Sequence, residues 1–143
     1  MNILTGIGKW AKLSNSRKRN WLNAAFVLLL IGLALRLLPF AKFKSYYIKT
    51  TSRFPRKPVK DANIGEVVWA VESAAQKLPM TLLCLPQALA VKYLLGVADD
   101  VVVHIGFNKE PTKDFQFHAW VEKQGQTVIG SLPTYYQPLW VWN

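Results

Sequence analysis

One cysteine and two histidines are the residues of this 143-residue chain best suited to nucleophilic chemistry: Cys84, His104 and His118. A thiolate attacks a carbonyl carbon after a neighbouring imidazole has taken its proton, so this pair of residue types is typical of acyl transfer. The alternative is structural, because an isolated cysteine often packs as a small apolar residue. One cysteine forms no intramolecular disulfide, and with two histidines it is too small a set for an ordinary closed zinc site. We therefore expect no metal and no cofactor.

Cys84 lies where a helix is predicted to begin. The helix is expected to run to about Leu95, with Pro86 in its first turn and Gly96 just past its end, both common at those positions. Unpaired N–H groups and the positive end of the helix dipole stabilise a thiolate at such a position. The same groups would receive the oxyanion of a tetrahedral intermediate. The position favours Cys84 as a nucleophile.

Each histidine falls in a predicted strand. The β-branched run 101–105 contains His104, and the segment 115–122 contains His118. Glu122 would share a strand face with His118, but about 13 Å of strand separates the two residues, too far for contact. Spacing alone does not choose between the two histidines as the base.

The predicted architecture places helices before an antiparallel sheet. Apolar residues at three- and four-residue steps predict an amphipathic helix from Ile64 to Leu78. A third strand, 127–129, follows a predicted hairpin turn at 123–126. The aromatic tail from Pro133 is expected to pack against the sheet. This order predicts an α+β domain with the nucleophile at a helix N-terminus facing the sheet.

Charge divides the chain into two parts. Residues 1–60 hold 13 of the 18 Lys and Arg and none of the eight acids, although the net charge of the whole chain is only +10. We predict a basic arm over 1–60 and a catalytic domain over 61–143. The arm would suit an anionic membrane surface, an acidic peptide or a nucleic acid. It lacks the interleaved aromatic residues of nucleic-acid binders, so no nucleic acid is expected.

The arm contains an apolar helix at about 21–38. Its uninterrupted apolar run, Ala24 to Leu35, has 12 residues, whereas a membrane-spanning helix needs roughly 20. This favours a helix docked on the domain or lying on a membrane surface over a true anchor. Residues 41–63, which are polar and basic with two prolines, are predicted to be a linker. We expect a cytoplasmic protein, with membrane association left open.

Several short sequence motifs, taken together, resemble those of one protein family. Cys-Leu-Pro-x-Ala-Leu-Ala begins at Cys84, Leu-Leu-Gly and a strand with Ile-Gly follow, and His-Ala-Trp-Val-Glu begins at His118. Over Trp69 to about Leu139 the chain resembles the transglutaminase-like leader peptidases of lasso-peptide biosynthesis, which include a microcin-processing protein. The segment Leu-Arg-Leu-Leu-Pro-Phe, at 35–40, also resembles the segment before their catalytic domain. The chain is most similar to the stand-alone peptidase half of a split system.

The resemblance implies a papain/transglutaminase-like fold and a cysteine peptidase with Cys84 as nucleophile and His118 as base. The substrate would be the leader of a ribosomally made precursor. The implied partners are that precursor, a separate leader-binding protein and a cyclase that closes a macrolactam. Two alternatives stay open: another acyl transfer or deamidation through the same thioester, and a non-enzymatic membrane-associated adaptor.

The third member of the catalytic set is not evident in the sequence. The family pattern has an Asp on the strand after His118, but no acid follows Glu122, and the expected place falls near Gly130-Ser131. The group that orients the imidazole can also be neutral. The candidates are Gln126, Ser131, Asp114, an earlier acid or a backbone carbonyl, and a Cys–His dyad is the remaining alternative.

Overall fold

The computed structural model describes residues 8–96, 99–108, 117–130 and 136–142. Helices precede the strands, as predicted, with four main helices where three were expected, and the α+β fold class is confirmed. The helices are α1 (Asn15–Leu37), α2 (Phe40–Arg53), α3 (Ile64–Lys77) and α4 (Cys84–Leu95), with a short 3₁₀ turn at Asp61–Asn63. The strands are β1 (Val101–Asn108), β2 (Phe117–Lys123), β3 (Gln126–Ile129) and β4 (Tyr136–Trp142).

The strands form one antiparallel sheet in the order β3-β2-β1-β4. Gln124 and Gly125, with φ of 53° and 76°, make the two-residue turn between β2 and β3, as tight hairpins require. The aromatic tail joins the sheet: its residues 136–142 pair with β1 as a fourth strand, which the sequence did not predict. Residues 115–116 of the predicted second strand and Pro133 lie outside the described residues.

Helix α4 packs against β1 and β2, and this contact forms the centre of the core. Successive strand residues face opposite sides, so Val103 and Val121, which are partners in the register, share the side that is fully buried. Leu89 of α4 is fully buried in the same core. The sheet thus holds the helix that begins at Cys84.

The predicted linker is wrong over much of its length, because residues 40–53 form helix α2. Phe40, Phe43 and Tyr47 recur at three- and four-residue steps, and two of them, Phe43 and Tyr47, are buried. The Tyr47 hydroxyl donates a hydrogen bond of 2.8 Å to the carbonyl oxygen of Leu89 in α4. Burial raises the pKa of Tyr47, which keeps this hydroxyl protonated as a donor. The many basic residues around these aromatic side chains favoured the prediction of a linker, although the segment forms an amphipathic helix.

Helix α1 begins earlier than expected, at Asn15, and packs on α3 and α4. Arg17 holds Glu66 of α3 through hydrogen bonds of 2.8 and 3.1 Å. Gly32 allows α1 to approach the segment before α4 closely, because a Cβ there would come within 2.6 Å of a methyl group of Leu82. One hydrophobic core therefore contains side chains from both sides of the predicted boundary at 60/61, and that division of the chain stays a prediction.

By length and composition, α1 is also capable of crossing a membrane. Its packing instead favours a position on the domain, since six of its residues are buried inside the protein. A core helix of a globular domain has the same composition when both of its sides are apolar.

Candidate active site

The candidate nucleophile stands at the first residue of α4. Leu83, the residue before it, is extended (φ −75°, ψ −163°), and no side chain caps this end of the helix among the described residues. Pro86 has no N–H to satisfy, so it fits the first turn without cost. The Cys84 thiol is free and half-buried. The unpaired N–H groups of the first turn and the helix dipole favour negative charge at this position.

Gln87, one turn into α4, fixes the segment that leads to Cys84. Its side-chain Nε2 donates a hydrogen bond of 2.8 Å to the carbonyl oxygen of Leu82. The Leu82 side chain is buried and packs over Gly32 of α1. The chain before the nucleophile is therefore anchored both by its own helix and by α1.

Cys84 and His118 line the same cleft, which has a volume of about 500 Å³. The residues that line the cleft come from α3, α4, β2 and β3 and the segments that flank them; they are Glu72, Leu82, Leu83, Cys84, Gln87, His118, Ala119, Val128, Ile129 and Gly130. Cavities of about 470 and 320 Å³ lie along α1, but neither is lined by a cysteine or a histidine. Of the residues predicted from the sequence, Cys84 and His118 thus line one cleft, and His104 is not among its lining residues.

A main-chain carbonyl group holds the His118 ring. Nε2 of His118 lies 3.0 Å from the carbonyl oxygen of Gly130, just after β3. Because a carbonyl oxygen only accepts, this hydrogen bond requires the proton on Nε2. The neutral ring then has its lone pair on Nδ1, so Nδ1 is the nitrogen that can accept a proton.

Gly130 lies close to where the resemblance implies an acid, and its carbonyl oxygen contacts the His118 ring there. Its φ is +82°, and a Cβ at this position would lie 2.9 Å from the Ala119 carbonyl oxygen and from Cβ of Trp120. Both the backbone conformation and the close approach therefore require glycine. Of the candidates for this role, Ser131 and Asp114 lie outside the described residues, and Gln126 is an exposed residue at the start of β3.

Three aromatic rings stack along one face of the sheet. Trp120 lies between His104 and His118, with ring centroids 5.2 Å from His104 and 6.3 Å from His118 and interplanar angles of 11° and 16°. His104 is the register partner of Trp120 across β1 and β2, and His118 is two residues along the same strand. The stack thus packs the candidate base against the buried ring of Trp120.

Glu122 fixes this stack through both of its carboxylate oxygens. Oε1 accepts a hydrogen bond of 3.0 Å from Nε1 of Trp120, and Oε2 lies 3.2 Å from Nε2 of His104. Glu122 does not act on His118 directly, as its distance along the strand predicted. The sequence reasoning missed its contact with Trp120, which the two-residue alternation of a strand would have indicated.

A comparison with protein families identifies the superfamily of the chain. A family model described as the transglutaminase-like superfamily matches residues 27–141, which include Cys84, His118 and the C-terminal part of α1. The chain belongs to the transglutaminase-like superfamily, whose members are generally cysteine peptidases or acyl transferases. No curated protein and no solved structure matches the chain significantly.

Proposed function

We propose that the protein is a cysteine peptidase that removes the leader from a ribosomally made lasso-peptide precursor. The observation that carries the proposal is the shared cleft of Cys84 and His118, with Nε2 of the imidazole held on the Gly130 carbonyl oxygen. A nucleophile at a helix N-terminus and a base oriented by a third group are the parts that covalent acyl transfer needs.

In the first half of the reaction, Nδ1 of His118 takes the thiol proton of Cys84. The sulfur then attacks the carbonyl carbon of the scissile peptide bond, and the N–H groups at the start of α4 stabilise the resulting oxyanion. When the intermediate collapses, the C–N bond breaks and His118 gives its proton to the leaving amine. The amine carries the core peptide, and the leader stays on Cys84 as a thioester.

In the second half, His118 takes a proton from a water molecule, which attacks the thioester carbonyl carbon. The C–S bond breaks, the leader leaves with a free carboxylate, and the proton on His118 returns to the sulfur. The Gly130 carbonyl oxygen keeps the ring orientation through both halves, because its hydrogen bond involves only Nε2.

The proposed substrate class rests on the sequence motifs that begin at Cys84 and His118 and on the residues that line the cleft. Leu83, next to the nucleophile, is 67% exposed and lines the cleft, so it offers an apolar contact to an extended peptide. The proposed setting is cytoplasmic. There, a separate leader-binding protein delivers the precursor, and a cyclase closes the freed core N-terminus onto an Asp or Glu side chain as a macrolactam.

A cleavage assay tests the proposal. The protein is mixed with a precursor peptide encoded beside its gene and with the leader-binding protein, and masses are read for wild type, Cys84→Ala, His118→Phe and His104→Phe. We expect cleavage at one bond by wild type, none by the first two variants and reduced cleavage by His104→Phe. The two histidine variants are matched, because each imidazole stacks on Trp120 but only His118 lines the cleft.

Two outcomes contradict the proposal in different ways. Cleavage that survives Cys84→Ala would remove the nucleophile from the mechanism. A wild-type product that gains the mass of an added primary amine, rather than of water, would show that the thioester serves another acyl transfer.

A further inference from the structure

Helix α1 is apolar on two opposite sides. One side is buried against α3 and α4, and its residues are Ala24, Ala25, Val27, Leu28, Ile31 and Gly32. The other side carries six large apolar residues that are each 39% to 72% exposed. These six are Leu22, Phe26, Leu29, Leu30, Leu33 and Leu37, and we call them the leucine stripe. Their three- and four-residue spacing places them on one face.

The fold does not account for the leucine stripe. The opposite side of α1 already supplies the packing that holds the helix on the domain. Single exposed apolar residues are ordinary on a protein surface, but a contiguous patch marks a contact site. From Leu22 to Leu37 the stripe runs about 22 Å along the helix, at about 1.5 Å per residue.

The apolar surface continues onto α2. A groove of about 320 Å³ lies between the two helices and is lined on opposite sides by Leu30 and Tyr46, among others. Tyr46 is itself 58% exposed. The stripe and the groove thus form one apolar surface with an aromatic residue at its margin, a composition common where proteins meet the boundary of a lipid bilayer.

Positive charge surrounds this surface. Arg19 precedes the stripe by one turn and Arg36 lies near its end, and both are exposed. Helix α2 adds the exposed cations Lys42, Lys49 and Arg53. Residues 1–60 contain no acid at all. A second copy of the chain would bring a like-charged surface to this face, whereas an anionic surface would complement it.

We propose that the leucine stripe docks on the surface of a membrane that contains anionic lipids, with α1 parallel to the bilayer plane. The leucines enter the boundary between headgroups and acyl chains, and the arginines and lysines contact lipid phosphates. Spanning would require α1 to leave its partners, including the Arg17–Glu66 ion pair and the packing of Gly32 on Leu82. The docking is independent of which reaction Cys84 performs.

Vesicle flotation with the full chain tests the proposal. One set of vesicles is phosphatidylcholine alone, and the other also contains phosphatidylglycerol at about one lipid in three. We expect binding to the anionic vesicles to be about tenfold or more stronger, because each cation near an anionic surface adds to the affinity. Binding should weaken in high salt, and alkaline carbonate should release the protein.

Two pairs of variants separate the apolar and the charged contributions. Phe26→Ser with Leu33→Ser should lower binding about tenfold, because these side chains would lose their burial in lipid. Its control is Val141→Ser, since Val141 is 50% exposed on β4. Arg19→Gln with Arg36→Gln should lower binding to anionic vesicles only, with Lys77→Gln, an exposed cation of α3, as its control. Circular dichroism checks that every variant folds.

Five results would overturn the proposed docking. Wild type that stays with neither set of vesicles would remove the lipid partner, and wild type that binds both equally would remove the role of the anionic lipid. Variants of the stripe that bind as wild type does would place the contact elsewhere. Resistance to carbonate would indicate insertion, and a dimer in sedimentation velocity that the stripe variants dissociate would indicate self-association instead.

Discussion

Nε2 of His118 and the carbonyl oxygen of Gly130 are 3.0 Å apart, so the candidate base is oriented by the main chain. A carbonyl oxygen fixes the tautomer and the plane of the ring as an amide side chain would, but it carries no charge. In the proposed reaction, the imidazolium would therefore be stabilised by a dipole. The position of that dipole depends on the conformation of one glycine.

Gly130→Ala should lower kcat about tenfold or more, because even small misplacements of catalytic groups are costly. The added Cβ meets the Ala119 carbonyl oxygen at 2.9 Å, and alanine is strained at a φ of +82°. Gly125→Ala is the matched control: its φ is +76°, but no atom lies within 4 Å of the added Cβ. Both variants should lose thermal stability, whereas only Gly130→Ala should lose activity. Equal kinetics in the two variants would contradict the orienting role.

Trp120→Phe should lower kcat several-fold with little change in KM, because the residue positions His118 and does not line the cleft. Phenylalanine keeps a ring in the stack but loses the hydrogen bond to Glu122. The pH profile of kcat should move as well, since the surroundings of the imidazole change. Trp69→Phe is the control, because Trp69 lies on α3 and its ring packs under the Arg17 side chain of α1. If the Trp120→Phe variant were less stable but had the same kcat and the same pH profile as wild type, the stack would have a structural role only.

Iodoacetamide should alkylate Cys84 at least as fast in the folded protein as in urea, because the thiol is only half-buried and lines a cleft together with the imidazole of His118. His118→Ala should slow the reaction of the folded protein. Mass spectrometry of the single cysteine follows the rate without a substrate. A folded protein that reacts more slowly than the unfolded chain would show a protected core thiol.

Glu66→Gln should lower Tm by about 2 °C at pH 7, the modest effect expected of a surface ion pair. The hydrogen bond from Arg17 lowers the pKa of Glu66 below its ordinary 4.5. The stabilisation is therefore present above that ordinary value and is lost as the pH falls through the lowered one. At pH 3 the variant and wild type should melt closer together.

Glu72→Gln on the same helix is the control for this measurement, since the described residues give its carboxylate no ion pair. It should change Tm little at either pH. If the difference between Glu66→Gln and wild type stayed constant from pH 7 to pH 3, the ion pair would not be what ties α1 to α3.

Local signals were sufficient for the helix that carries the nucleophile. Pro86 and Gly96 mark its two ends whatever the rest of the chain does, and the helix begins at Cys84 and ends at Leu95 as predicted. The α+β order followed from the change in periodicity after Gly96. The pairing of Cys84 with His118, in contrast, needed the family resemblance, because either histidine satisfied the strand pattern.

The remaining features depend on contacts that no local pattern encodes. A backbone acceptor such as the Gly130 carbonyl group has no characteristic residue type, so only the fold reveals it. The contact of His104 with Trp120 depends on the register between two strands. Helix α2 was missed because Phe43 and Tyr47 stand among basic residues, and their burial requires a neighbouring helix.

Gly32 and Leu82 also have a consequence for any attempt to shorten this protein. The charge pattern suggests a cut near residue 60, which would remove the exposed leucines and improve handling in solution. The same cut would take away Ala24, Leu28 and Phe43 from the core and uncover the segment before Cys84. The smallest active enzyme must therefore retain α1 and α2, and solubility is better sought by replacing the outward leucines one at a time.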